Sequence, residues 1–252
     1  MGGDRVPLRD RVVIVTGGAR GIGGETAILA AGEGARVAIF DVRQREADAT
    51  LAQMGPTAEA IALQVDVTDE ASVSRAVEAV LARWGRIDVL VHAAGILKGA
   101  TLLVDELDPA VFDEVIAVNL RGAYLCCRAV TGPMRAQRRG VILLIASGAG
   151  VRGGSSSVAY GTSKGGVHGL SLVLAPQLEP HGIRVHGICP GSLATELKLD
   201  NVADVARARG DDPERARATA RAELGDPAGV GRVLTFLASD DADYVRGTIF
   251  TR

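Results

Sequence analysis

The chain has 252 residues, 47% of them hydrophobic, enough for a sizeable core; one α/β domain spanning 1–252 is expected rather than two small ones. Its 28 basic and 30 acidic residues leave a formal charge of −2, which excludes a long-range basic field for nucleic acid or an anionic membrane surface. The three cysteines, Cys126, Cys127 and Cys189, make neither a disulfide framework nor a metal-like pair; with no apolar signal core at the N-terminus and no run long enough for a bilayer, a cytoplasmic protein is expected.

In chain order, short apolar runs alternate with longer amphipathic ones, the pattern of βα units around a parallel sheet covered on both faces. VVIVT (12–16) is the first strand, and TGGARGIGGETA (16–27) turns from it into a helix over 22–33. Gly17, Gly21 and Gly23 suit a tight turn that brings backbone N–H groups to a phosphate pair at the helix N-terminus. Gly18, Gly21 and Gly24 satisfy a second spacing, G-x-x-G-x-x-G. The second strand, RVAIFD (36–41), closes on Asp41. A carboxylate there accepts both adenosine ribose hydroxyls and repels a 2′-phosphate, so NAD is expected over NADP; Arg20 and Arg43 are the residues that would instead face such a phosphate.

A helix over 43–54 leads to AIALQVD (60–66), where Asp66-Val67 either meets the adenine edge or is a solvated strand end. Next come a helix over 69–84 with Asp69 as N-cap, the strand IDVLVH (87–92), and one long helix over 109–137 with Asp108 as N-cap and Pro109 in first position. VILLIAS (141–147) precedes a helix over 158–179, on which Tyr160 and Lys164 share a face at i, i+4. IRVHGIC (183–189), a helix over 226–238 and TIFT (248–251) bring the strands to seven. The segment 192–225, rich in Ala, Arg and Asp, follows a strand end, where open α/β sheets place ligand-covering pieces. It reads as a helical flap over the site, with a solvated helix pair as the alternative.

TGGARGIG (16–23), Asp66-Val67, HAAG (92–95), Asn119, Ser147, Tyr160-x-x-x-Lys164 and PGSLAT (190–195), in this order and at these separations, resemble the short-chain dehydrogenase/reductases. The likeness is to their compact single-domain branch, which includes 3-oxoacyl-carrier-protein reductases and sugar and cyclic alcohol dehydrogenases. It runs from about residue 8 to the end and implies a Rossmann fold, a doubly wound seven-stranded parallel sheet. It further implies hydride transfer between NAD(H) and a secondary alcohol or ketone, with Tyr160 as acid/base. Lys164, together with the cofactor, would lower the phenol's pKa and bond the nicotinamide ribose. Ser147 would hold the substrate oxygen, and Asn119 would support a water relay behind the lysine or be a satisfied polar residue. The loop residues Gly17, Arg20, Gly21, Ile22 and Gly23 would meet the cofactor. So would Asp41, Asp66 and Val67, then His92, Ala93 and Gly95, then Pro190, Gly191 and Thr195, the last at the nicotinamide carboxamide.

Two positions depart from the family. His92 stands where Asn usually ties neighbouring strands, and His186 likewise replaces an Asn; neither has metal-ligand spacing, so no metal is expected. GTIFTR also ends where relatives continue into Asp-Gly-Gly. Gly165, Gly166 and Gly169 beside Val167, Leu170 and Leu174 would permit close helix packing, and the resemblance implies a homo-oligomer, commonly a tetramer. The competing readings are an NADPH-dependent reductase of 3-oxoacyl thioesters and a non-catalytic cofactor-binding regulator. Substrate walls are expected from 97–105, 148–157 and the flap; for Arg152, Arg207 and Arg209 a solvated role is expected ahead of contact with an anionic substrate.

Overall fold

The computed structural model describes residues 7–251. Seven parallel strands are β1 (Val12–Thr16), β2 (Arg36–Asp41), β3 (Ala60–Gln64), β4 (Val89–His92), β5 (Gly140–Ile145), β6 (Ile183–Cys189) and β7 (Gly247–Phe250), ordered β3-β2-β1-β4-β5-β6-β7. The strand order reverses between β1 and β4, which opens a crevice at the carboxyl ends of the sheet. Strands β1, β4 and β5 are buried at every position, as uninterrupted Val/Ile/Leu runs require when both faces of a sheet are covered.

The helices are α1 (Gly21–Gly32), α2 (Gln44–Gln53), α3 (Glu70–Trp84), α4 (Pro109–Ile116), α5 (Gly122–Gln137), α6 (Val158–Leu178), α7 (Glu196–Arg209), α8 (Pro213–Glu223) and α9 (Pro227–Ala238). One core lies beneath α3, α5 and α6, around Leu90, Met134, Ile142 and Leu144; the other lies beneath α1 and α9, around Val15, Ile39, Leu143 and Leu234. Adjacent residues of β5 thus serve opposite cores, the period of two that a strand imposes. The expected caps hold: Asp69 accepts from the Ala71 N–H, and Asp108 from the Ala110 N–H ahead of Pro109.

Three expectations are corrected. The strands ending at Asp66 and Ser147 stop earlier, at Gln64 and Ile145, so both side chains stand on the loops of the crevice. The single helix over 109–137 is interrupted by a π turn at Ala117–Arg121. Inside that turn Asn119 is fully buried and bonds both the N–H and the C=O of Ile96, so the widened turn reaches back to the loop after β4.

The third concerns α6 as an interface. A side chain at Gly165 would meet the Gly150 carbonyl, and one at Gly166 the Leu120 side chain. Val167 belongs to the core, and Leu170 and Leu174 pack against it. Of the three glycines only Gly169 would give an added Cβ open space; Val158, Leu172 and Val173 are the large apolar residues that α6 leaves exposed.

Candidate active site

The loop from β1 into α1 explains its glycines. Gly17 has φ +65°, and a Cβ there would lie 2.6 Å from the Ala94 nitrogen; at Gly23 it would lie 2.2 Å from the Gly17 carbonyl oxygen. The loop therefore folds tightly on itself and against the end of β4. Arg20, at the N-cap of α1, makes no side-chain cap, and no acidic residue occupies the first turn. The orphan N–H groups and the positive end of the helix are thus left to face the crevice. A glycine cradle without side chains and a helix N-terminus without a protein cap fit the diphosphate of a dinucleotide.

A cavity of about 680 Å³ runs from this loop across the sheet ends. Gly17, Arg20, Gly21, Ile22, Gly23, Asp41, Asp66, Val67, Ala93, Gly95, Tyr160, Lys164 and Thr195 all border it. Asp41 is positioned by the backbone: one oxygen accepts the Ala19 N–H at 3.1 Å and the other the Arg43 N–H at 3.0 Å. Arg20 and Arg43 stand beside it, yet both face Glu46, at 4.0 and 3.6 Å. Asp66 accepts from the N–H and hydroxyl of Thr68, a turn that fixes its carboxylate at the cavity edge.

A second chamber, about 380 Å³, adjoins the first. Ser147 borders only this chamber and Lys164 only the larger cavity, whereas Tyr160 borders both. Tyr160 and Lys164 come from the first turns of α6, where the Ser157 hydroxyl accepts the Tyr160 N–H. The Lys164 ammonium donates to the Ile145 carbonyl at 2.6 Å and lies 5.8 Å from the Tyr160 ring centre. Burial lowers its pKa to about 8, against a smaller upward pull from Cys189. Burial also raises the Tyr160 phenol, opposed by its hydrogen bond with Ser147. In the protein alone, desolvation is thus the larger influence on the phenol and the Ser147 hydrogen bond the opposing one.

Three site expectations are corrected. Pro190 and Gly191 border the smaller chamber rather than the larger cavity. His92 borders neither cavity; its Nδ1 lies 2.9 Å from the Thr16 hydroxyl, tying β4 to β1 as the family's Asn is expected to do. Asn119 also borders neither, since its amide is used by Ile96 and by the Ser163 hydroxyl at 2.9 Å, which makes it a positioning residue. Arg152 stacks over Phe250 and Arg207 pairs with Asp204, so neither meets the chamber, and Arg209 does not border it either. Sequence reading passed over Lys198 and Asn201, which do. The i, i+3 spacing from Thr195 was the signal that could have singled them out.

His186 is similarly structural, with Nδ1 3.4 Å from the Gly247 carbonyl on β7. Burial, reinforced by the Lys164 charge, pushes His92 down to about 3 from 6.5. Its unfolded form binds a proton as pH falls through 6.5 while the folded form refuses one until about 3, so stability falls across that window. His92→Asn should remove this contribution: thermal melts at pH 7.5 and 5 will show a smaller acid loss than in the parent chain.

A model of the family described as short chain dehydrogenase matches residues 11–206. Levodione reductase of Leifsonia aquatica is 35% identical over 251 residues, covering 95% of this chain and 91% of its own. Cis-4-hydroxycyclohexanecarboxylate dehydrogenase of Sinomonas cyclohexanicum is 37% identical over 243 residues, covering 95% and 94%. A 3-oxoacyl-acyl-carrier-protein reductase of Thermotoga maritima is 36% identical over 255 residues, covering 96% of each. The crystal structure of levodione reductase superposes with a TM-score of 0.89 at 33% identity, covering 96% of both chains.

Proposed function

The chain belongs to the short-chain dehydrogenase family, oxidoreductases of alcohol and ketone groups, and on that premise we propose that it interconverts a secondary alcohol and its ketone with NAD as preferred cofactor. The observation that carries this reading is the division of the site: Ser147 on the smaller chamber, Lys164 on the larger cavity, Tyr160 on both. When bound, the dinucleotide supplies the hydride acceptor or donor. Its diphosphate would be held at the N-terminus of α1 and its adenosine ribose by Asp41. Tyr160 gives its proton to the ketone oxygen, or takes one from the alcohol, where the two cavities meet. The Ser147 hydroxyl donates to the same oxygen and keeps it facing the phenol. Lys164, anchored by the Ile145 carbonyl, holds positive charge on the cofactor side and favours the phenolate as the proton leaves.

NAD is favoured because Asp41 presents a carboxylate to the ribose end while Glu46 offsets both neighbouring arginines. A panel of secondary alcohols and ketones, followed by nicotinamide absorbance with each cofactor, tests the reading. We expect kcat/KM with NAD to exceed that with NADP by about tenfold or more, and Asp41→Asn to narrow the gap. Strong NADPH preference would move the assignment to the thioester reductase, and cofactor binding without turnover of any substrate to the regulator.

The whole chain would act as one catalytic domain in which 192–225 covers the substrate. Its buried free thiols suit a reducing cytoplasm, and no helix among the described residues is long and apolar enough to cross a membrane. Self-association, as the tetramer common among relatives, would use the exposed Tyr124, Leu172 and Val173 of α5 and α6. A monomer in light scattering at working concentration would count against it.

A further inference from the structure

The wall of the smaller chamber joins an apolar surface from Ile22, Leu97, Leu193 and Leu197 to one charged side chain, Lys198; among the described residues no Asp or Glu borders it. Helical geometry separates this lysine from the acidic residues around it. Thr195, Lys198 and Asn201 follow at i, i+3 and i+6 and line the chamber, whereas Glu196 and Asp200 lie on another face of α7. Both carboxylates are already engaged: Arg217 of α8 pairs with Glu196 and Asp200, and Arg221 pairs with Glu196 at 2.7 Å. Lys198 forms no ion pair or side-chain hydrogen bond among the described residues.

Asn201 gives the second observation. It borders the chamber and is 4% exposed, its carbonyl oxygen accepts the Ser156 hydroxyl at 3.2 Å, and its Nδ2 is buried without a partner. An ammonium has only donors, and the amide nitrogen left without a partner is likewise a donor. Two neighbouring groups one helical turn apart thus demand the same thing, an oxygen with lone pairs, and the charge on one of them selects an anion.

Resting on the alcohol-dehydrogenase reading, we infer that this end of the chamber is a carboxylate subsite. The substrate is a secondary alcohol or ketone whose compact apolar body ends in a carboxylate, paired with Lys198 and hydrogen-bonded by Asn201.

The test is calorimetric titration of cyclohexanecarboxylate and cyclohexanecarboxamide into the full chain, with and without NADH. The acid should bind at least about tenfold tighter than the amide, the gap should close in Lys198→Met and return in Lys198→Arg, and Asn201→Leu should narrow it. Equal affinities, no binding of the acid, or a preference that survives Lys198→Met would overturn the subsite. Oxidation of cyclohexanol by the unaltered chain is measured alongside. Turnover without acid preference sinks the subsite alone; acid preference without turnover of any alcohol leaves the subsite standing and sinks the reading on which it rests.

Discussion

Tyr160→Phe should lower kcat/KM for every alcohol and ketone by about 10²- to 10⁴-fold, the range over which a positioned acid/base acts. The substitution keeps the ring and removes only the hydroxyl, whose protein partner is Ser147. Because the ring continues to border both cavities, dinucleotide affinity followed by NADH fluorescence should stay close to that of the parent chain, and so should the melting temperature. This separation makes the variant informative. Full activity would show that the proton moves elsewhere; loss of NADH binding would show that the phenol holds the cofactor rather than serving the substrate oxygen.

The second large effect is at Lys164. The residue is buried, its ammonium bonds the Ile145 carbonyl, and it places a positive charge 5.8 Å from the Tyr160 ring centre. Lys164→Met should reduce kcat/KM by about 10²-fold or more and raise KM for the dinucleotide, since preorganised charge beside the reacting group is lost. The same variant has a second, independent readout. The lysine's pKa falls from 10.5 when unfolded to about 8 when folded, so below 8 both forms are charged and the burial cost is fully present. Between about 8 and 10.5 the unfolded chain retains the proton that the folded chain has released, and this contribution to stability rises with pH. Chemical-denaturation curves across that window should therefore show parent stability gaining on Lys164→Met. A constant difference would mean that the lysine is not desolvated in the folded chain.

The sheet was readable because each of its central strands is a run of β-branched and aliphatic residues bounded by turns. The cradle was readable because glycines between a strand and a helix have few other uses. Other features depend on where chain segments meet. Nothing in the periodicity of 109–137 signals the π turn, since apolar residues continue through it; the turn is fixed by a bond from Asn119 to Ile96, 23 positions away. His92 occupies a cofactor motif in sequence, but strand alternation turns its ring toward Thr16 and away from the cavity. Lys198 is one more charge in an Arg/Asp-rich flap by composition; only the fold sets it apart, because Arg217 of α8 occupies the acidic residues on either side of it.

Within 192–225 the two helices differ: α7 borders the cavities, while α8 buries no residue at all. The polar attachment of α8 to α7 runs through Arg217 and Arg221 to Glu196 and Asp200. Such an attachment weakens as salt screens it, unlike the apolar packing of the sheet. Amide hydrogens of α8 should consequently exchange sooner than those of α5 or α6, and faster still at high ionic strength. If departure of product waits on this segment, kcat becomes a function of added salt while the chemical step beneath it does not.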